Sequence, residues 1–162
     1  MLLNFLRVGR LDLLVGLPDS EFLVTDHVRG EVTGHAHAEQ VRTAIEGGRL
    51  REERVDAPDE VAAFGRLQQT RVLGVGECAA LAVAVCRRLS IAIDDRAARK
   101  KATALFGFGQ FLGTADVAAI GSGLVDVATA DELKRRWEQE LRFKLGFGSF
   151  AERLVQPDRD GC

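Results

Sequence analysis

The spacing of apolar side chains changes period several times along the chain, and each change marks an element. Leu2, Leu3, Phe5, Leu6, Leu11, Leu13 and Leu14 recur at mixed helical intervals around Gly9, which predicts two short helices ending before residues 16–18. Residues 22–25 form a short apolar run suited to a buried strand. Asp26 is then a candidate N-cap, and Val28 and Val32 share one face of the helix it would open. Val41, Ala44 and Ile45 keep the helical interval until Gly47 and Gly48 stop it. Residues 50–55 alternate weakly and are mostly charged, as on an edge strand.

Further along, Pro58, Asp59 and Glu60 suit a first helical turn, with Val61, Phe64 and Leu67 as its apolar stripe. Residues 77–88 are apolar nearly all round, so that helix packs on more than one side. A strand over 89–93, a helix over 95–106 closed by Gly107, and a short strand at Phe111 and Leu112 follow. Residues 129–145 read as a surface helix. Thr129 and Glu132 make a capping box, Leu133, Trp137, Leu141 and Leu145 make an i+4 stripe, and four acid-before-base pairs run from Asp131–Arg135 to Glu140–Lys144. Strands alternating with helices of this length imply βαβ units and a parallel sheet. The expectation is an α/β protein, a three-layer α/β/α sandwich in one domain over 1–156, with a frayed polar tail over 157–162.

Composition narrows the function. The formal charge of −2 excludes bulk attraction to nucleic acid, so any such binding rests on a local patch. Cys78, Cys86 and Cys162 are odd in number and form no C-x-x-C pair, which favours free thiols in a reducing cytoplasmic compartment. No run approaches the ~18 consecutive apolar residues of a membrane span. The apolar opening is followed by Arg7 and Arg10 instead of being preceded by a basic segment, the reverse of a secretion signal.

Three acidic positions stand where chemistry would. The strand over 89–93 runs straight into Asp94 and Asp95, and parallel sheets bind ligands beyond the carboxyl ends of their strands. Glu77 opens the buried helix after Gly74-Val-Gly76, and Glu31 lies on the helix after the 22–25 strand. Each has a plainer explanation: an N-cap, a dipole partner, a solvated charge. Together they are carboxylates that repel unless a cation joins them, and oxygen-only ligands suit Mg²⁺ or Mn²⁺.

The order and spacing of these segments resemble PIN-domain proteins, the α/β fold of many toxin ribonucleases. Residues 2–14 look like that family's first helix. Residues 22–32 resemble its second strand and the helix carrying its glutamate, Gly76-Glu-Cys-Ala-Ala-Leu-Ala82 its third motif, and Ile91-Ala-Ile-Asp-Asp-Arg-Ala-Ala-Arg99 with Gly113-Thr114 its fourth. The resemblance implies metal-binding carboxylates at Glu31, Glu77 and Asp95 with Asp94 as helper, converging within roughly 10 Å of one point. It implies Mg²⁺- or Mn²⁺-dependent RNA cleavage, a homodimer and an antitoxin protein covering the site. The family's first strand and its metal-binding aspartate would lie before Met1, so the same resemblance leaves room for a module that binds RNA or protein without cutting. Without that strand, a gap or narrowed pairing is expected between the 22–25 and 89–93 strands.

Other signals carry less. His35 and His37 lack the further ligands zinc requires. Residues 107–113 resemble a dinucleotide loop but precede their strand instead of following it. Asp116 caps the next helix or edges the site. Arg96, Arg99, Lys100 and Lys101 form a basic run beside the acidic positions; it is a solvated face or, for Arg96, Arg99 and Lys100, an RNA phosphate contact.

Overall fold

Gly9 divides the first helical segment because its φ of +69° lies in the left-handed region that favours glycine. It separates α1 (Leu2–Arg7) from α2 (Leu11–Val15) in the computed structural model, which describes residues 1–17, 19–121, 125–145 and 147–155. The expected tail over 157–162 lies outside the described residues. β1 (Leu23–Thr25) leads directly into α3 (Asp26–Gly30). Thr25, not Asp26, is the N-cap: its hydroxyl accepts the Val28 N–H at 3.3 Å, while Asp26 sits in the first turn against the His27 ring. α3 ends at Gly30, and α4 (His35–Glu46) begins afresh after Gly34, so one expected helix is two and Val32 lies between them.

The chain continues through β2 (Arg51–Glu53), α5 (Pro58–Gln68), α6 (Val75–Arg87), β3 (Ile91–Ala92), α7 (Arg96–Phe106), β4 (Phe111–Leu112) and α8 (Thr114–Gly121). It then forms α9 (Val127–Glu140) and α10 (Phe150–Val155). Leu67 of the expected α5 stripe buries fully and Phe64 packs partly against the core, but Val61 does not follow them. Val61 is exposed, whereas Glu60, Ala63 and Leu67 are buried. A carboxylate can occupy that face because Arg87, in the last turn of α6, donates to Glu60 at 2.6 Å and to Glu53 of β2 at 2.8 Å. One guanidinium thus ties β2, α5 and α6 together.

α9 also differs from its sequence reading. Asp126 is the N-cap and accepts both the amide and the hydroxyl of Thr129 at 2.8 Å, so the helix starts earlier and ends at Glu140. Its ion pairs join Glu132 to Arg135, Lys134 to Glu138 and Arg136 to Glu140, while Asp131 instead accepts the backbone N–H of Phe150. Leu133 and Trp137 do bury. The Trp137 indole donates to the Asn4 carbonyl at 2.9 Å and its ring meets Phe5 edge-on, which clamps α9 across α1.

The architecture is α/β with parallel strands, but the strands form two separate pairs. β1 pairs with β2 and β3 with β4, both parallel. One apolar cluster gathers Phe5, Leu14, Val24, Val41 and Trp137; the other gathers Leu67, Cys78, Leu81, Ile91 and Ala102 around β3. α6 bridges them, touching α3, α5, α7, β1 and β3. That explains why it is apolar on more than one side. Between the pairs lies a cavity of about 890 Å³, bordered by β1 on one side and by residues 91–93 on the other. β1 gives one edge to β2, and β3 gives one to β4. Among the described residues no strand joins the two facing edges. The gap expected from the sequence is therefore present. Cys78 is buried and Cys86 partly so; both are free, and burial pushes both thiols above their ordinary range. No helix of the described residues is long and apolar enough to cross a membrane.

Candidate functional site at the cleft between the strand pairs

The cavity between the strand pairs reaches the carboxyl ends of β1 and β3, where Glu31, Glu77, Asp94 and Asp95 line it. Each is placed by a different local device. α3 is only five residues long, so its C-cap, Glu31, projects beside the start of α6. There its carboxylate accepts the Gly76 N–H at 2.9 Å. Glu77, the third residue of α6, turns back to accept the Gly74 N–H at 3.0 Å. The N-cap residue Gly74 has no side chain, so two glutamates take up free amide donors of this helix mouth, where the dipole also favours negative charge. A methyl group placed on Gly74 would stand 3.7 Å from Glu77 Oε2 and 4.0 Å from Glu31 Oε1. The two carboxylates therefore flank the same short loop.

Across the cavity, Asp94 and Asp95 do different work although they are neighbours. Asp95 is the N-cap of α7, its Oδ1 accepting from Ala97 and Ala98 at 2.6 and 2.9 Å. Asp94 is held inside a polar knot. Its Oδ1 accepts the Thr114 N–H at 2.8 Å, and its Oδ2 accepts the Thr114 hydroxyl at 2.7 Å and the Asn4 amide at 3.2 Å. Asn4 also donates to Thr114, which is fully buried, and the Met1 ammonium lies 3.6 Å from Asp94 Oδ2. The knot thus joins the start of α1 to the ends of β3 and β4. Asp116 accepts the Gly113 N–H at 2.7 Å, the helix-capping role weighed for it.

The basic run separates in the same way. Arg99 turns inward, donating to the Ile93 carbonyl at 2.9 Å with its guanidinium over the Phe111 ring. Arg96 and Lys100 are exposed on α7. Sequence reasoning missed Asn4 and Thr114 as partners of Asp94, because contacts across so much chain leave no local pattern. Gly76 was read as part of the third motif, directly before Glu77, but its contact with Glu31, 45 residues away in the chain, was not.

The donor chemistry of this cleft, oxygen without sulfur or imidazole, fits a hard divalent cation. The spacing is open, however: among the described residues no three acidic, histidine or cysteine side chains gather around one point as a ligand set.

An α/β domain with an acid-lined cleft beyond the carboxyl ends of its parallel strands is the class that this geometry defines. Residues 1–115 match the family DUF3368, a PIN domain, and the chain belongs to that family. The matched region holds β1 to β4 with Glu31, Glu77, Asp94 and Asp95. No curated protein and no solved structure matches the chain in the corresponding comparisons.

Proposed function

We propose that this PIN domain is a metal-dependent ribonuclease of the toxin kind, cleaving RNA phosphodiesters at the cleft between its strand pairs. The observation that carries this reading is that Glu31, Glu77 and the adjacent Asp94 and Asp95, from three separate segments, line a single cavity. Glu31, Glu77 and Asp95 hold Mg²⁺ or Mn²⁺, and Asp94 orients the ensemble through Thr114 and Asn4. A bound cation in such a site supplies activated water and charge stabilisation at the phosphate. The chain's own contribution is positional. The helix mouth of α6 fixes two carboxylates, the cap of α7 fixes a third, and exposed Arg96 and Lys100 on α7 meet the RNA backbone. A homodimer and an antitoxin protein that covers the cleft belong to the same proposal.

A second reading is favoured, among the described residues, by the open spacing of the carboxylates and the edges of β1 and β3 that no strand fills: a PIN-like module that binds RNA or a protein partner without cutting. Incubation of the purified chain with a mixed-sequence single-stranded RNA, with Mn²⁺, with Mg²⁺ or with a chelator, separates the two. The nuclease reading expects cleavage with Mn²⁺ or Mg²⁺ only, reduced at least ~100-fold in Asp95→Asn. Retention of intact RNA in a gel shift, with no products at millimolar metal, favours the binding module.

A further inference from the structure

The first turn of α6 contains a glycine that the backbone does not require. Gly76 is the second residue of a 13-residue helix, and it is not among the residues with positive φ. Alanine would adopt that conformation and is the better helix former, so local structure alone argues against glycine here. The surroundings supply the reason. A Cβ at residue 76 would stand 2.7 Å from Glu31 Oε2 and 2.8 Å from both Cδ and Oε1 of the same residue. Apart from its chain neighbours and the backbone of α6 itself, the three nearest heavy atoms to that point belong to one carboxylate. Gly76 also donates its N–H to Glu31 Oε1 at 2.9 Å, so the absent side chain makes room for the group that the backbone binds.

We infer that Gly76 is a positioning residue, kept free of a side chain so that the Glu31 carboxylate can lie flat against the mouth of α6, turned toward Glu77. The inference rests on the nuclease reading for its functional meaning and on the geometry for its steric content. A methyl group at 76 does not meet backbone; it meets the far end of a flexible side chain. The fold can therefore yield by swinging Glu31 away, which leaves the helix intact and takes the Glu31 carboxylate off the Gly76 N–H at the mouth of α6. The remaining neighbours do not compete for this role. Around Gly74 the nearest atoms lie at 3.7 Å and beyond, an ordinary contact, so alanine there displaces neither glutamate.

The test compares the unmodified chain, Gly76→Ala, Gly74→Ala, Glu31→Asp and the double variant Gly76→Ala/Glu31→Asp, each melted with and without millimolar Mn²⁺ and assayed for RNA cleavage. Expected is a Gly76→Ala protein that melts within a few degrees of the unmodified chain without metal. It loses most of the Mn²⁺-induced rise in Tm and at least ~10-fold in cleavage, whereas Gly74→Ala keeps both. The shorter aspartate draws the carboxylate back from the new methyl, so the double variant regains part of the Mn²⁺ response that Gly76→Ala has lost. Should Gly76→Ala unfold, rescue of folding and metal response by Glu31→Asp supports the same steric coupling, and failure to rescue overturns it. A Gly76→Ala protein with the full Mn²⁺ response and full cleavage also overturns the inference. An unmodified chain that neither gains stability from Mn²⁺ nor cleaves RNA overturns the nuclease reading itself, and the positioning role with it.

Discussion

A chain lengthened before Met1 by about five apolar residues ending in Asp-Ser melts roughly 10 °C or more above the 162-residue chain and cleaves RNA faster. The expectation comes from the split between the strand pairs. β1 and residues 91–93 border the same cavity with edges that no described strand pairs. Buried N–H and C=O groups on such edges lack the partners that a ladder provides. Met1 lines the cavity, and its ammonium lies 3.6 Å from Asp94 at the carboxyl end of β3. Residues attached there and laid back along the cavity run parallel to β1 and β3, with their last side chains beside the cleft carboxylates. Each apolar side chain so buried contributes about 1.5–3 kcal/mol, and each ladder hydrogen bond about 1 kcal/mol. Ordering the strand costs about 1–2 kcal/mol per residue for the backbone. The surplus is on the order of 5 kcal/mol, which for a domain of this size corresponds to the stated rise in melting temperature. The aspartate adds a further oxygen ligand where the present set is open. The measurement is a paired melt and RNA-cleavage assay, with a lengthened Asp→Asn chain as control. Equal melting and equal cleavage in both lengths would mean that the cavity is not a strand site.

Replacing Arg87 by Met lowers stability near neutral pH by about 3–5 kcal/mol, and the loss shrinks as the solution is acidified. The guanidinium serves two carboxylates, Glu60 with 3% of its side chain exposed and Glu53 with 20%. Its hydrogen bonds hold both glutamates below the ordinary carboxylate range, against the opposing effect of burial. A carboxylate with a depressed folded-state pKa contributes stability above its unfolded value, about 4.3 for Glu. That contribution disappears as pH falls through the lower folded value. Removing Arg87 leaves Glu60 buried and charged at pH 7 with no cation beside it and only backbone N–H groups such as that of Asp56, the situation that makes broken buried pairs costly. In acid Glu60 takes up a proton and needs no partner. Urea unfolding of both proteins at pH 7 and near pH 3.5 tests this. A loss of the same size at both pH values would show that Arg87 acts through packing and not through charge.

The parts of this protein that were legible in sequence are those fixed by neighbours. Gly107 closes α7 with a φ of +65°, and Pro58 opens α5, because each constrains the backbone where it stands. Asp94 and Asp95 stood out because an apolar strand ran directly into them. What stayed hidden depends on residues far apart in the chain. Glu60 read only as a first-turn acid; its burial beside Arg87 has no sign in the local sequence. Leu141 and Leu145 continued a helical stripe, although the α9 helix ends at Glu140. The different duties of Asp94 and Asp95 could not be assigned from adjacency alone. Thr114 and Asn4 hold one of them, while the amides of α7 hold the other.

The central claim is that Glu31, Glu77 and Asp95 act together on one divalent cation, with Asp94 in support. Titration of the protein into Mn²⁺, following the loss of the free-ion paramagnetic resonance signal, reads that claim without reference to any substrate. The prediction is a saturable site with dissociation constant in the micromolar to millimolar range, weakened at least ~10-fold in each of Glu31→Gln, Glu77→Gln and Asp95→Asn. Undiminished free Mn²⁺ signal at millimolar protein, or binding that all three substitutions leave unchanged, would contradict it.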